Sequence, residues 1–150
     1  VKIAVASDHG GFKLKNELIA YLKELAIEHR DFGTYSGEPV DYPDMVTPVA
    51  EAVAEGEYDL GVLCCGTGIG VSIAANKVSG IRAALCHDTF SARMAREHNN
   101  ANIITMGERV IGPGLAREIL ASFLNAEFAG GRHARRVDKI YDMEKKYCCR

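Results

Sequence analysis

The run Leu60-Gly-Val-Leu-Cys-Cys-Gly-Thr-Gly-Ile-Gly-Val-Ser-Ile-Ala-Ala-Asn76 decides how this chain folds. It opens as a short apolar block with the length and composition of a buried strand. Gly66, Gly68 and Gly70 then break it into a loop, and an Ala-rich apolar segment resumes with helical character. A strand, a glycine turn and a helix start gather several backbone N–H groups at the positive end of a helix dipole. Cys65 stands at the mouth of that turn, where such a field favours a thiolate. Strand alternation sends Cys64 to the opposite face, as a small buried residue. A base beside an anion hole is what removal of a proton from carbon requires. An inert, buried Cys65 is the alternative that this stretch leaves open.

The same residues argue against several other chemistries. The dinucleotide fingerprint G-x-G-x-x-G needs a glycine at 71, where Val71 stands. A P-loop needs Lys and then Ser or Thr after its last glycine, and Val71-Ser72 follow instead. Adjacent Cys64 and Cys65 lack the C-x₂-C spacing of a zinc site. Neither cysteine is followed by the C-x₅-R pattern of a cysteine phosphatase.

Outward from this unit, strand and helix patterns alternate. Lys2–Ala6 reads as a first buried strand, then Ser7-Asp-His-Gly-Gly11 as a loop. A helix follows with Leu14, Leu18, Tyr21, Leu22 and Leu25 on one face. A weaker strand falls near Ile27–Asp31, and residues 32–44 form a polar connection with Gly33, Gly37, Pro39 and Pro43. Met45, Val46, Val49, Ala50 and Val53 mark the next helix. After the central unit come a strand over Ile81–Cys86, a helix capped by Asp88 or Thr89 and running to about His98, and a fifth strand over Asn102–Met106. Pro113 suits the first turn of a helix with Leu115, Ile119, Leu120 and Phe123 on one face. Gly130-Gly131 breaks the chain before a last helical segment over His133–Lys146.

This alternation implies a single α/β domain over residues 1–150, a three-layer sandwich with helices on both faces of a five-stranded parallel sheet. The expected strand order is 2-1-3-4-5. It reverses between strands 1 and 3, so ligands bind outside the carboxyl ends there. The loops Ser7–Gly11 and Cys65–Gly70 would flank that crevice. Other groups that could carry chemistry are Asp8-His9, His98-Asn99, and the cluster Arg132, His133, Arg135 and Arg136. Each also has a plain structural use, as a helix cap, a partner for a helix dipole or a solvated helix start. Arginine's fork suits phosphate oxygens.

The 150 residues can bury a substantial core, and 47% hydrophobic with 25% charged residues is ordinary for a globular chain. A net charge of −2 gives no general attraction to nucleic acid or an anionic membrane. No apolar run approaches a membrane span, and no signal-peptide pattern opens the chain. Five cysteines, an odd number, read as reduced thiols. A cytoplasmic location is the expectation. Cys148-Cys149 is assigned no function.

Asp8-His9-Gly-Gly, Asp41-Tyr-Pro43, Cys65-Gly-Thr-Gly-Ile-Gly, Ser72-Ile-Ala-Ala-Asn-Lys77, Gly80-Ile-Arg-Ala83, His98-Asn99, Gly107-Glu-Arg109 and Gly131-Arg-His133 occur in order. With these motifs the chain resembles the B-type ribose-5-phosphate isomerases, a family that includes galactose-6-phosphate isomerase subunits and allose-6-phosphate isomerases. The resemblance covers all but the Cys-Cys tail. It implies an aldose–ketose isomerase interconverting ribose 5-phosphate and ribulose 5-phosphate through an enediolate, without metal or other cofactor. A hexose 6-phosphate isomerase, and a non-catalytic sugar-phosphate-binding module, are the alternatives. By the family's pattern Cys65 is the base, and the turn Gly66, Thr67, Gly68, Ile69 and Gly70 stabilises the enediolate, with Thr67 among the catalytic residues. His98 assists ring opening, and Asn99 and Asp8 contact the sugar. His9, Arg109, Arg132 and Arg136 match phosphate-binding positions. The resemblance also implies a homodimer or homotetramer whose site is shared between subunits, with the C-terminal helix reaching a partner.

Overall fold

The structure is a computed structural model that describes residues 1–147; Cys148 and Cys149 lie outside the described residues. The strands are β1 (Lys2–Ser7), β2 (Glu28–Asp31), β3 (Leu60–Cys65), β4 (Ala83–Leu85) and β5 (Ile103–Gly107). The helices are α1 (Phe12–Glu24), α2 (Tyr42–Ala54), α3 (Ile69–Ala75), α4 (Thr89–Asn99), α5 (Pro113–Leu124) and α6 (Arg132–Tyr147), with one 3₁₀ turn at His9–Gly11. All strand pairs are parallel.

The sheet order is β2-β1-β3-β5-β4, which corrects the expected 2-1-3-4-5 by exchanging the last two strands. The reason is burial. β5, Ile-Ile-Thr-Met-Gly, is buried at every residue, as an inner strand must be. β4 has only three residues, all partly or fully exposed, which suits an edge. The reversal between β1 and β3 stands.

Two apolar layers enclose the sheet. On one face Ile3, Val5, Val62, Cys64, Ile104 and Met106 pack against α1, α4 and α5. On the other, Ala4, Ala6, Leu63, Cys65 and Ile103 pack against α2 and α3. The odd and even residues of β1 divide cleanly between the layers, the signature of the strand period. Fully buried Ile119, Leu120 and Phe123 anchor α5, each such side chain worth roughly 1.5–3 kcal/mol.

Helix starts follow local chemistry. Asp88 caps α4 by accepting from the Ser91 N–H at 2.7 Å. Pro43 and Pro113 occupy first turns, where no intrahelical donor is lost. Lys15 falls on the inward face of α1 and is fully buried; its Nζ meets both Asp31 oxygens (2.8 and 2.7 Å) and Thr34 O. That clamp ties the loop after β2 to α1. In α6 only His133 and Val137 are buried, while Ile140 and Met143 stay exposed.

Candidate active site

The two loops expected at the crevice meet. The Asp8 N–H donates to Cys64 O at 3.3 Å, and a Cβ on Gly11 would lie 2.5 Å from the Cys64 carbonyl carbon. Only glycine permits so close an approach. Asp8 is nearly buried and its Oδ1 accepts from the Gly11 N–H at 3.2 Å. His9 is exposed at the mouth, with Nδ1 beside the Val40 backbone.

Cys65 is 5% exposed, and its Sγ accepts from the Gly68 N–H at 3.0 Å. Gly68 makes that possible by adopting φ +75°, a left-handed conformation that folds the turn back over the sulfur. Thr67 is exposed, with Oγ1 accepting from the Ile69 N–H at 3.3 Å. The N–H groups of Gly66, Thr67 and Gly70 find no acceptor among the described residues. The end of β5 cradles the turn from beneath: Glu108 N–H donates to Cys65 O (2.9 Å), Arg109 N–H to Gly66 O (3.0 Å), and Thr105 Oγ1 to Gly68 O (2.9 Å). The Arg109 guanidinium covers Gly66, and the Tyr42 ring lies against Gly70.

Cys64 faces the other layer with no exposure. Burial, reinforced by Cys65 and Glu108, pushes its thiol far above the ordinary range, so it stays protonated.

The remaining candidates gather elsewhere. α4 leaves the carboxyl end of β4 and returns to the amino end of β5, so His98 and Asn99 sit at the amino end of the sheet. Arg82, which precedes β4, donates to Asn99 O (3.2 Å) and Asn100 O (2.9 Å). α6 docks beside them: Ala129 N–H donates to Glu97 O, and the His98 and His133 rings stack with centroids 4.1 Å apart. Arg132 and Arg136 are exposed on this end. The expected site is thus two groups at opposite ends of the sheet. Asp8, His9, Cys65 to Gly70 and Arg109 hold one end; His98, Asn99, Arg132 and Arg136 hold the other. The four steps of β5 alone set them roughly 13 Å apart.

Three residues on the first group had no role in the sequence reading: Tyr42, His87 and Glu108. Tyr42 lies in the Asp41-Tyr-Pro43 motif and Glu108 in the Gly107-Glu-Arg109 motif, which were the available signals. The contact of His87 joins segments 20 residues apart and leaves no local pattern. Among the described residues no group of three His, Cys, Asp or Glu is placed to hold a metal ion. No helix there is long and apolar enough to cross a membrane.

A model of the ribose/galactose isomerase family matches residues 3–140. The chain belongs to that family. Ribose-5-phosphate isomerase B of Escherichia coli is 49% identical over 145 residues, covering 97% of each chain. D-erythrulose-4-phosphate isomerase of Pectobacterium atrosepticum is 46% identical over 150 residues, covering 98% of this chain and 99% of that one. The solved structure of ribose-5-phosphate isomerase B from Clostridium thermocellum superposes with a TM-score of 0.97 at 58% identity, over 98% of this chain and 99% of that one. This ribose/galactose isomerase is therefore a B-type member and an enzyme.

Proposed function

We propose that the enzyme interconverts ribose 5-phosphate and ribulose 5-phosphate, with Cys65 as the base. The observation that carries this reading is the Cys65 Sγ held by the Gly68 N–H inside a turn whose Gly66, Thr67 and Gly70 N–H groups find no acceptor among the described residues. Cys65 takes the proton from C2 of the open aldose and the electron pair moves into an enediolate; the thiol returns the proton to C1 as the O2 hydroxyl proton passes to O1, leaving the C2 ketone. A sugar α-hydrogen is too weakly acidic for a base alone. Preorganised donors at the developing oxyanion are worth roughly 2.7–4 kcal/mol each, and Gly66, Thr67 and Gly70 supply them. Asp8 engages sugar hydroxyls, while His9 and Arg109 meet the phosphate, which fixes the reacting end at a distance.

His98, Asn99, Arg132 and Arg136 cannot reach Cys65 of their own chain across the length of the sheet. The reading therefore places them in the site of a second copy, in a homodimer or larger assembly in which each site takes one end from each chain. His98 of the partner subunit then opens the furanose, and Arg132 of the partner subunit and Arg136 of the partner subunit complete the phosphate site. Cytoplasmic location goes with this reading, supported by the free thiols of Cys64, Cys65 and Cys86.

Isotope exchange tests the assignment. Ribulose 5-phosphate reaches the enediolate without ring opening, because its O5 is esterified. In D₂O, His98→Asn keeps washing deuterium into C1 of the ketose while consumption of cyclic ribose 5-phosphate falls severely. Cys65→Ala loses both. Equal loss of exchange in the two variants would assign His98 to proton transfer instead. Comparing kcat/KM on ribose, allose and galactose phosphates ranks the pentose first; turnover of none of the three would end the reading.

A further inference from the structure

The odd-numbered residues of β5 point their backbone groups at β4. The Ile103 N–H donates to Arg82 O at 3.4 Å, and Thr105 O accepts from the Cys86 N–H at 3.1 Å. The Gly107 N–H is next on that side, but β4 has ended at Leu85. It donates instead to Nε2 of His87 at 3.0 Å. An imidazole stands where a strand carbonyl would be, at the point where β5 passes beneath the glycine turn.

That point is crowded. A Cβ on Gly107 would lie 2.5 Å from the carbonyl carbon of Thr67, and a Cβ on Gly68 would lie 2.5 Å from Cδ1 of Leu85. The end of β4 therefore backs the turn twice. Leu85 presses on Gly68 directly, and His87 holds the Gly107 backbone on which Thr67 rests. An Nε2 that accepts must keep its lone pair, so the proton sits on Nδ1 and the ring is neutral. Burial favours that form, holding the His87 pKa below its ordinary value against the pull of Asp88.

We propose that His87 is a positioning residue for the isomerisation: by accepting from the Gly107 N–H it holds the end of β5 against Thr67, and so sets where the turn's N–H groups stand relative to Cys65. This rests on the reading of that turn as the anion hole. His87 makes no contact with the reacting atoms; it acts through Gly107 and Thr67. Its loss leaves the phosphate contacts of His9 and Arg109 in place, so ground-state binding is retained. What is lost is alignment in the transition state, where a displacement of an ångström costs up to about a hundredfold. The loss therefore falls on kcat rather than KM.

The test compares wild type, His87→Ala and His87→Gln on ribose 5-phosphate, together with amide hydrogen exchange at Gly107 read by NMR. The glutamine Oε1 extends about as far as Nε2 and accepts without titrating. In His87→Ala the Gly107 amide exchanges faster, kcat falls about 10- to 100-fold and KM stays within about twofold. His87→Gln restores both the protection of Gly107 and most of kcat. Should His87→Ala not fold, His87→Asn, whose shorter amide stops short of Gly107, takes its place with the same expectations. Unchanged kcat with an unprotected Gly107 overturns the proposal, as does a rescued Gly107 in His87→Gln without rescued turnover. An inactive wild type would instead sink the isomerase reading and this proposal with it.

Discussion

His98 and His133 stack face to face, their ring centroids 4.1 Å apart and their planes 5° from parallel. One ring belongs to the last turn of α4 and the other to the first turn of α6, so the stack joins two helices with nothing local in common. Two imidazoles in contact, with Arg132 and Arg136 near, resist a second positive charge. Burial first, then His98 and the two arginines, lower the His133 pKa below its ordinary value of 6.5.

A pH dependence follows with a definite sign. The unfolded chain takes up a proton at His133 from about pH 6.5 downward, and the folded chain does so only at lower pH. The stability is therefore fully present above about 6.5 and is lost as pH falls below that value. His87 adds the same sign. Thermal unfolding followed by circular dichroism shows Tm falling between pH 7.5 and 5.5, with a smaller fall in His133→Asn. A Tm that rises on acidification would contradict the assignment.

The adjacent cysteines separate chemistry from packing. Cys65→Ala loses about 10²–10⁴-fold in kcat, the usual contribution of a positioned base, while remaining folded. Cys64→Ala keeps turnover and loses stability by about 1–2 kcal/mol, from a small cavity in the layer with Ile3 and Val5. Iodoacetamide alkylates Cys65 ahead of the buried, protonated Cys64, and substrate protects Cys65. Wild-type turnover in Cys65→Ala would remove the proposed base.

Glycine substitutions discriminate the turn from the surface. Gly107→Ala drives a methyl into the Thr67 backbone, and Gly68→Ala adds left-handed strain to contacts with Leu85 and Met106. Each costs about 1–3 kcal/mol of stability and most of the turnover. Gly112→Ala, with open space around it, changes Tm and kcat little. Equal denaturant midpoints for the three variants would show that the turn tolerates displacement.

A shared site makes a prediction about mixtures. Cys65→Ala and Arg136→Ala homodimers are each inactive, since every site lacks one group. Refolded together, half the dimers are hybrids with one intact site in two, giving about a quarter of wild-type activity. No recovery, once mass spectrometry has shown that hybrids form, would place the whole site in one chain.

The sequence by itself determined the elements and the reacting turn. Period-2 apolar blocks, helical stripes and glycine breaks are local signals, and they located all five strands, narrowed the α4 cap to Asp88 or Thr89, and put Cys64 and Cys65 on opposite faces. Alternation implied the parallel sheet, and the expected order placed its reversal between β1 and β3, where the Asp8 and Cys65 loops meet. Only the tertiary structure decided the exchange of β4 and β5, because strand order depends on which strand buries more surface between neighbours, a comparison between segments 20 residues apart. It also decided that Lys15 is buried, since an inward lysine is stable only where Asp31 and Thr34 O converge on it from another element. The same holds for His87 under Gly107 and for the placing of His98 and Arg136 at the end of the sheet away from Cys65. These are relations between groups brought together by packing, and no window of sequence contains both members.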